Sequence, residues 1–305
     1  MKERGSIDDR IPHRLSAAQL CRLGGALTQL VPEVKRLGGT HVLVITDPAL
    51  EKLGLVEQVA SPLRQAGCSV HVYTDVVPEP PLETGEKAVA FARGGEFDLV
   101  IGVGGSAMDL AKLAAVLAVH KGSVADYLNL TGTRTLEKKG LPKILIPTTS
   151  GTGSEVTNIS VLSLDTPKDV VTHDYLLADV AIVDPQLTVS VPPRVTAATG
   201  IDALTHAVEA YVSVNASPTS DGLALQAMRL IAQGGGTWSG PTGAHRYGER
   251  QLPGWVGVFQ RRRGGRACAC VSARRTVSYR PWRIKCCALA VCDGLHSPKL
   301  HETNG

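Results

Sequence analysis

The sequence predicts an α/β fold, a parallel sheet with helices on both faces, followed by an all-helical domain that is here incomplete. Three observations carry this reading. From residue 41, short β-branched apolar runs alternate with helical stretches. Two of those runs end in loops of small and hydroxylated residues. After Pro192 the strands stop, and apolar residues recur at spacings of three and four. Strand–helix alternation implies parallel strands, because neighbours running the same way need a long crossover between them.

The elements follow in order. "HVLVIT" (41–46) is continuously apolar, as a strand buried on both faces requires. Residues 50–66 read as a helix, "CSVHVY" (68–73) as a strand and residues 83–94 as a second helix. "FDLVIGVGG" (97–105) is a strand running into a glycine turn, and "SAMDLAKLAAVLAV" (106–119) is the helix that follows. "KILIPTTSGTGSE" (143–155) is a strand ending in a small-residue loop, and "VAIVDP" (180–185) is a further short strand. "RVTAATGIDALTHAVEAYV" and "SDGLALQAMRLIA" are helical. The expected division is an α/β domain over 1–192, the start of a helical domain over 193–232 and an aberrant, poorly ordered tail over 233–305.

The chain has 305 residues, 43% of them hydrophobic, enough for two domains with cores. No run of 18 apolar residues is present, so no transmembrane helix and no membrane partner are expected. The start, "MKERGSIDDR", lacks the apolar core of a signal peptide, which gives a cytoplasmic expectation. The net charge of +4 conceals a break. Residues 233–305 hold ten Arg, two Lys and three acids, so the tail carries +9 and the first 232 residues carry −5. Five of the seven Cys and all three Trp also fall in the tail.

Four features bear on chemistry. The turn "GVGGSAMD" (102–109) follows a strand and opens a helix, where free N–H groups and the helix N-terminus suit a pyrophosphate; an ordinary tight turn has the same look. The loop "PTTSGTGSEVT" (147–157) offers hydroxyls and N–H groups to phosphate or ribose oxygens, or is simply a solvated loop. Two such loops at the carboxyl ends of neighbouring parallel strands favour a ligand. Asp47 ends the strand over 41–46, where a carboxylate accepts from ribose hydroxyls and repels a 2′-phosphate; in "TDPAL" it also has the position of a helix cap. Asp202 and His206 stand four apart in a helix, on one face, and can point at one metal ion, or serve as a cap and a core residue.

Together, "GGSAMDLAK", "IPTTSGTGSEVTN", "VAIVDPQLT" and "TAATGIDALTHAVEAYVS" resemble the iron-containing (group III) alcohol dehydrogenase family over residues 10–232. The resemblance implies an N-terminal dinucleotide-binding domain, a helical metal-binding domain, and NAD(P)-linked interconversion of small alcohols and aldehydes. It makes Asp47 the residue that selects NAD over NADP, and Gly104, Gly105 and Ser106 the pyrophosphate turn. Thr148, Thr149 and Thr152 fall on the second cofactor loop, with Lys168 and Leu187 as further cofactor contacts. Asp202 and His206 match two metal ligands, for Fe(II) or another divalent ion, and no catalytic residue beyond the ligands is implied. A homo-oligomer is compatible with the sequence.

The family's two further His ligands have no counterpart in this frame; His245, His296 and His301 sit in other contexts. Degenerate codons for Val258–Arg283, read one nucleotide later, permit "FSNAGVGAVHALAYPLGGRFHIAHG", which places two His at codons overlapping residues 267 and 281. A frame slip near residue 233 is therefore expected, with metal binding and activity impaired. "RRRGGRACAC" and "KCCALAVC" lack paired C-x-x-C knuckles and interleaved aromatics, so neither structural zinc nor a nucleic-acid partner is expected.

Overall fold

The computed structural model describes residues 19–22, 25–163, 169–213 and 217–234. The expectations for Lys168 and for the tail beyond residue 234 lie outside these. In chain order the elements are β1 (Gln19–Arg22), α1 (Leu30–Arg36), β2 (His41–Thr46), α2 (Pro48–Lys52), α3 (Leu55–Gln65), β3 (Ser69–Tyr73), α4 (Leu82–Gly94), β4 (Leu99–Val103), α5 (Gly105–Leu117), β5 (Lys143–Ile146), β6 (Ile159–Val161), β7 (Val170–Thr172), β8 (Val180–Val183), α6 (Pro193–Tyr211) and α7 (Pro218–Gly234).

Six strands form one sheet in the order β1-β8-β5-β4-β2-β3, every pairing parallel. Side chains alternate across it as a period of two demands. Leu43, Ile45, Val100, Leu145 and Ala181 face one core, built with α4 and α5. Val42, Val44, Leu99, Ile101, Val103, Ile144, Ile146, Val180 and Ile182 face the other, built with α1 and α3. Each such side chain, fully buried, contributes about 1.5–3 kcal/mol. The continuous apolar run 41–46 is thus explained by a sheet covered on both sides.

Gly102 lets α5 press onto β4: a Cβ there would stand 2.8 Å from Ala111 Cβ and 2.9 Å from Met108 Cα. The chain leaves β2 for β3 on one side and returns to β4 on the other. That reversal opens a crevice at the carboxyl ends of β2 and β4, the place where open parallel sheets take ligands.

One expectation needs correction, and three strands have no counterpart in the sequence reading. The helix over 50–66 is two helices, because Gly54 adopts a left-handed φ of 72° and resets the chain direction between α2 and α3. Strand β1 was not anticipated; "QLCR" carries no apolar run, and its register is set by pairing with β8. The antiparallel pair β6–β7 was also unread, each strand being three residues long.

Helix α6 starts at Pro193, with proline in the first turn where its missing N–H costs nothing. It packs on α7 through Ala203, Ala207, Ala227 and Ile231, a seam of mostly small side chains four apart. Val195, Tyr211, Val212 and Leu225 on this pair are exposed. No helix among the described residues is long and apolar enough to cross a membrane.

Candidate functional site

The site is built at the crevice. Asp47 ends β2, and its Oδ1 accepts from the N–H groups of Ala49 (2.9 Å) and Leu50 (3.0 Å), capping α2. The cap expected from "TDPAL" is therefore real. It uses one carboxylate oxygen and turns the other toward the glycine turn. A Cβ on Gly104 would lie 3.5 Å from Asp47 Oδ2, 3.6 Å from Thr148 Oγ1 and only 2.6 Å from Leu50 Cδ1. Gly104 adopts φ 94°, ψ 157°, a conformation that L side chains rarely take. Its N–H donates to the Ile146 carbonyl at 3.0 Å, so the turn is tied to the end of β5.

Asp47, Gly104 and Thr148 come from the ends of three adjacent strands and converge on one point. Helix α5 begins there. No side chain caps its N-terminus and no acid lies in its first turn, so its first N–H groups and the positive end of its dipole are left to the crevice. Gly105 has open space where its Cβ would be. Gly105 and Ser106 are half-buried.

The loop after β5 is less uniform than its composition suggested. Thr148 is buried, Thr149 half-buried and Thr152 exposed. The Thr152 hydroxyl accepts from Ser154 N–H at 3.3 Å, closing a local turn. Gly151 packs against α6: a Cβ there would stand 3.0 Å from Thr199 Cβ. That contact joins the loop to the helix one turn before Asp202. Leu187 is buried in the core on the α1–α3 side, within a short helical turn over Pro185–Thr188.

Asp202 and His206 share one face of α6, with Nε2 of His206 3.9 Å from Oδ1 of Asp202. Glu209 follows one turn on, its Oε2 4.0 Å from His206 Nδ1. Both Asp202 and His206 are largely buried beside the α6–α7 seam. One carboxylate and one imidazole are donors suited to a divalent ion. Among the described residues, however, no group of three or more His, Cys, Asp or Glu is placed to hold a metal. The described residues fit part of a coordination sphere, not a whole one.

Sequence reasoning missed a polar network under the loop. Lys112 is fully buried on α5, and its ammonium donates to Ser154 Oγ (2.8 Å), Thr157 Oγ1 (2.9 Å) and the Ile159 carbonyl (2.9 Å). Asp109 stands 3.3 Å from the same nitrogen and accepts from the Ser154 hydroxyl at 2.6 Å. Glu155 is buried beside it, and burial pushes its carboxyl up to about 7. The available signal was the acid–base pair at i, i+3 on the otherwise apolar face "MDLAKLAAVL".

Comparison with known proteins agrees in extent. A family model described as iron-containing alcohol dehydrogenase matches residues 19–185, and one described as Fe-containing alcohol dehydrogenase family, C-terminal, matches residues 196–237. Long-chain-alcohol dehydrogenase 1 of Geobacillus thermodenitrificans (strain NG80-2) is 89% identical over 210 residues, 68% of this chain and 53% of its own length. A crystal structure of 1,3-propanediol oxidoreductase superposes with a TM-score of 0.73 at 33% identity, covering 80% of this chain and 66% of that one. Sulfoacetaldehyde reductase from Bifidobacterium kashiwanohense in complex with NAD+ gives 0.72 at 29% identity over the same shares. The chain spans about half the length of the curated relatives it matches.

Proposed function

The chain belongs to the iron-containing alcohol dehydrogenase family, and from that premise we propose that it binds NAD in the crevice between β2 and β4 and derives from an enzyme that oxidises an alcohol or reduces an aldehyde. The observation that carries this reading is the convergence of Asp47, Gly104 and Thr148 beside an uncapped helix N-terminus. The pyrophosphate would lie against Gly104, Gly105 and Ser106, where backbone N–H groups offset its charge. Asp47 Oδ2 would accept from the adenosine ribose and exclude a 2′-phosphate, since Oδ1 is engaged as a cap. Thr148, Thr149, Thr152 and Leu187 would line the rest of the nucleotide site. A relative with bound NAD+ supports the choice of cofactor.

Asp202 and His206 would hold the metal, Fe(II) or Zn(II) by donor type. When bound, the metal supplies Lewis-acid polarisation of the substrate oxygen, and NAD supplies the hydride acceptor. The chain's own part is to align the two and exclude water, and the Gly151–Thr199 contact holds the nucleotide loop against the metal-binding helix. We divide the chain at residue 193 and take it to act in the cytoplasm, with homo-oligomers allowed.

We read catalysis by this polypeptide as impaired, because the described residues bring together two donors of a larger set. The same observation favours a second reading, a nucleotide-binding remnant that does not catalyse. Titrating NADH with and without Fe(II), with metal analysis and an alcohol-dependent NADH assay, separates the two. NADH binding without stoichiometric iron or turnover supports the remnant. Stoichiometric iron and robust turnover refute the impairment. NADPH bound as tightly as NADH counts against the role given to Asp47.

A further inference from the structure

The network beneath the nucleotide loop has one carboxyl more than it has cations. Lys112 and Asp109 form an ion pair at 3.3 Å and are neutral together. Glu155 lies in the 3-10 turn over Ser154–Val156, between the two residues, Ser154 and Thr157, whose hydroxyls take the Lys112 ammonium. It is 1% exposed, and its Oε1 has no hydrogen-bond partner among the described residues. Ionised, Glu155 would leave an uncompensated negative charge inside the loop that carries Thr148, Thr149 and Thr152, where desolvation makes charge expensive.

The ionisable groups on the surrounding elements are few. Helix α5 brings Lys112 and Asp109, and β5 brings the buried Lys143, which interacts with Lys112 and has Asp179 Oδ2 at 3.8 Å. After β7 come His173 and Asp174, the latter held by Asn158 Nδ2 at 3.0 Å. Helix α6 carries Asp202 and His206. Of these, Lys112 acts directly on the charge of Glu155, and together with the residue's own N–H it opposes burial without overcoming it.

We propose that Glu155 is a proton-linked positioning residue for the nucleotide: as the neutral acid it leaves the loop that carries Thr148, Thr149 and Thr152 packed in place for the nucleotide, and as the carboxylate it forces that loop to shift. The proposal rests on the nucleotide reading above. Linkage then requires the converse, that binding the nucleotide draws a proton onto Glu155.

The test is NADH titration of the full chain from pH 6 to pH 8.5, with Glu155→Gln in parallel. The dissociation constant of the unaltered chain should weaken roughly tenfold across that range, the effect of a one-unit shift in pKa on binding. Glu155→Gln should hold the low-pH value throughout. Parallel profiles for the two chains would overturn the proposal. Should Glu155→Gln not fold, calorimetry of NADH binding to the unaltered chain at pH 7, in two buffers of different ionisation enthalpy, reads proton uptake directly. A fractional proton taken up supports the proposal, and none overturns it. Absence of NADH binding at every pH is a separate result that overturns the nucleotide reading itself, and the role of Glu155 with it.

Discussion

Asp47 caps α2 through Oδ1, and the cost of losing that cap can be stated. Asp47→Ala frees two N–H groups at the start of α2. Loss of such a cap costs about 1 kcal/mol, read as a lower urea midpoint with an unchanged slope. Asp47→Asn keeps an oxygen acceptor for the cap and should recover most of that stability. Lys112 is the more severe case. Lys112→Met removes the cation and strands Asp109, whose carboxylate keeps the Ser154 hydroxyl but loses its charge partner. Breaking a largely buried pair in this way costs on the order of 3–5 kcal/mol. A urea midpoint within error of the parent would show that the ammonium does not hold the loop. Asp47 was legible in the sequence because a cap has a local signature. Glu155 and Ser154 were not, since their partners on α5 lie more than forty residues away and no pattern in the loop announces them.

At the scale of elements, the site depends on a turn that only glycine tolerates. Gly104 combines a left-handed φ with a Cβ position 2.6 Å from Leu50 Cδ1. Gly104→Ala must therefore hold a strained backbone, at a cost of roughly 1–3 kcal/mol, and displace the end of the Leu50 side chain. The expected outcome is at least tenfold weaker NADH binding together with a lower melting temperature. Gly105→Ala is the control, because its Cβ would meet nothing within 4 Å; it should fold as well as the parent. The strands β2, β4, β5 and β8 were readable because burial on both faces leaves continuous apolar runs. The break at Gly54 was not, because the apolar pattern of α3 extends smoothly back into α2 while the chain direction changes between them. β6 and β7 are too short to carry a period.

For the whole molecule, two buried groups set opposite pH trends. Lys143, at the start of β5, is fully buried with Asp179 Oδ2 at 3.8 Å, and burial pulls its ammonium down to about 8. Between about 8 and 10.5 the unfolded chain binds the extra proton, so this residue makes stability rise with pH across that window. Glu155 works the other way. Its carboxyl is raised from 4.5 to about 7, so the folded chain binds the extra proton between those values and stability falls as pH rises through them. Each slope is at most about 1.4 kcal/mol per pH unit. Urea unfolding from pH 5 to 7 should therefore flatten in Glu155→Gln, and from pH 8 to 10 in Lys143→Met. Slopes equal to the parent's in both variants would mean that neither group carries the linkage.

The sequence by itself determined the strands β2, β3, β4, β5 and β8 and their order, the glycine turn, the hydroxyl loop and the spacing of Asp202 and His206, because each is written in residues close together along the chain. Tertiary structure alone decided that β2 and β4 lie side by side, that Asp47, Gly104 and Thr148 meet there, and that Lys112 anchors the loop from α5. Those contacts join residues 40 to 100 positions apart, and sheet order, which closes such distances, is chosen by the packing of both cores and not by any local spacing.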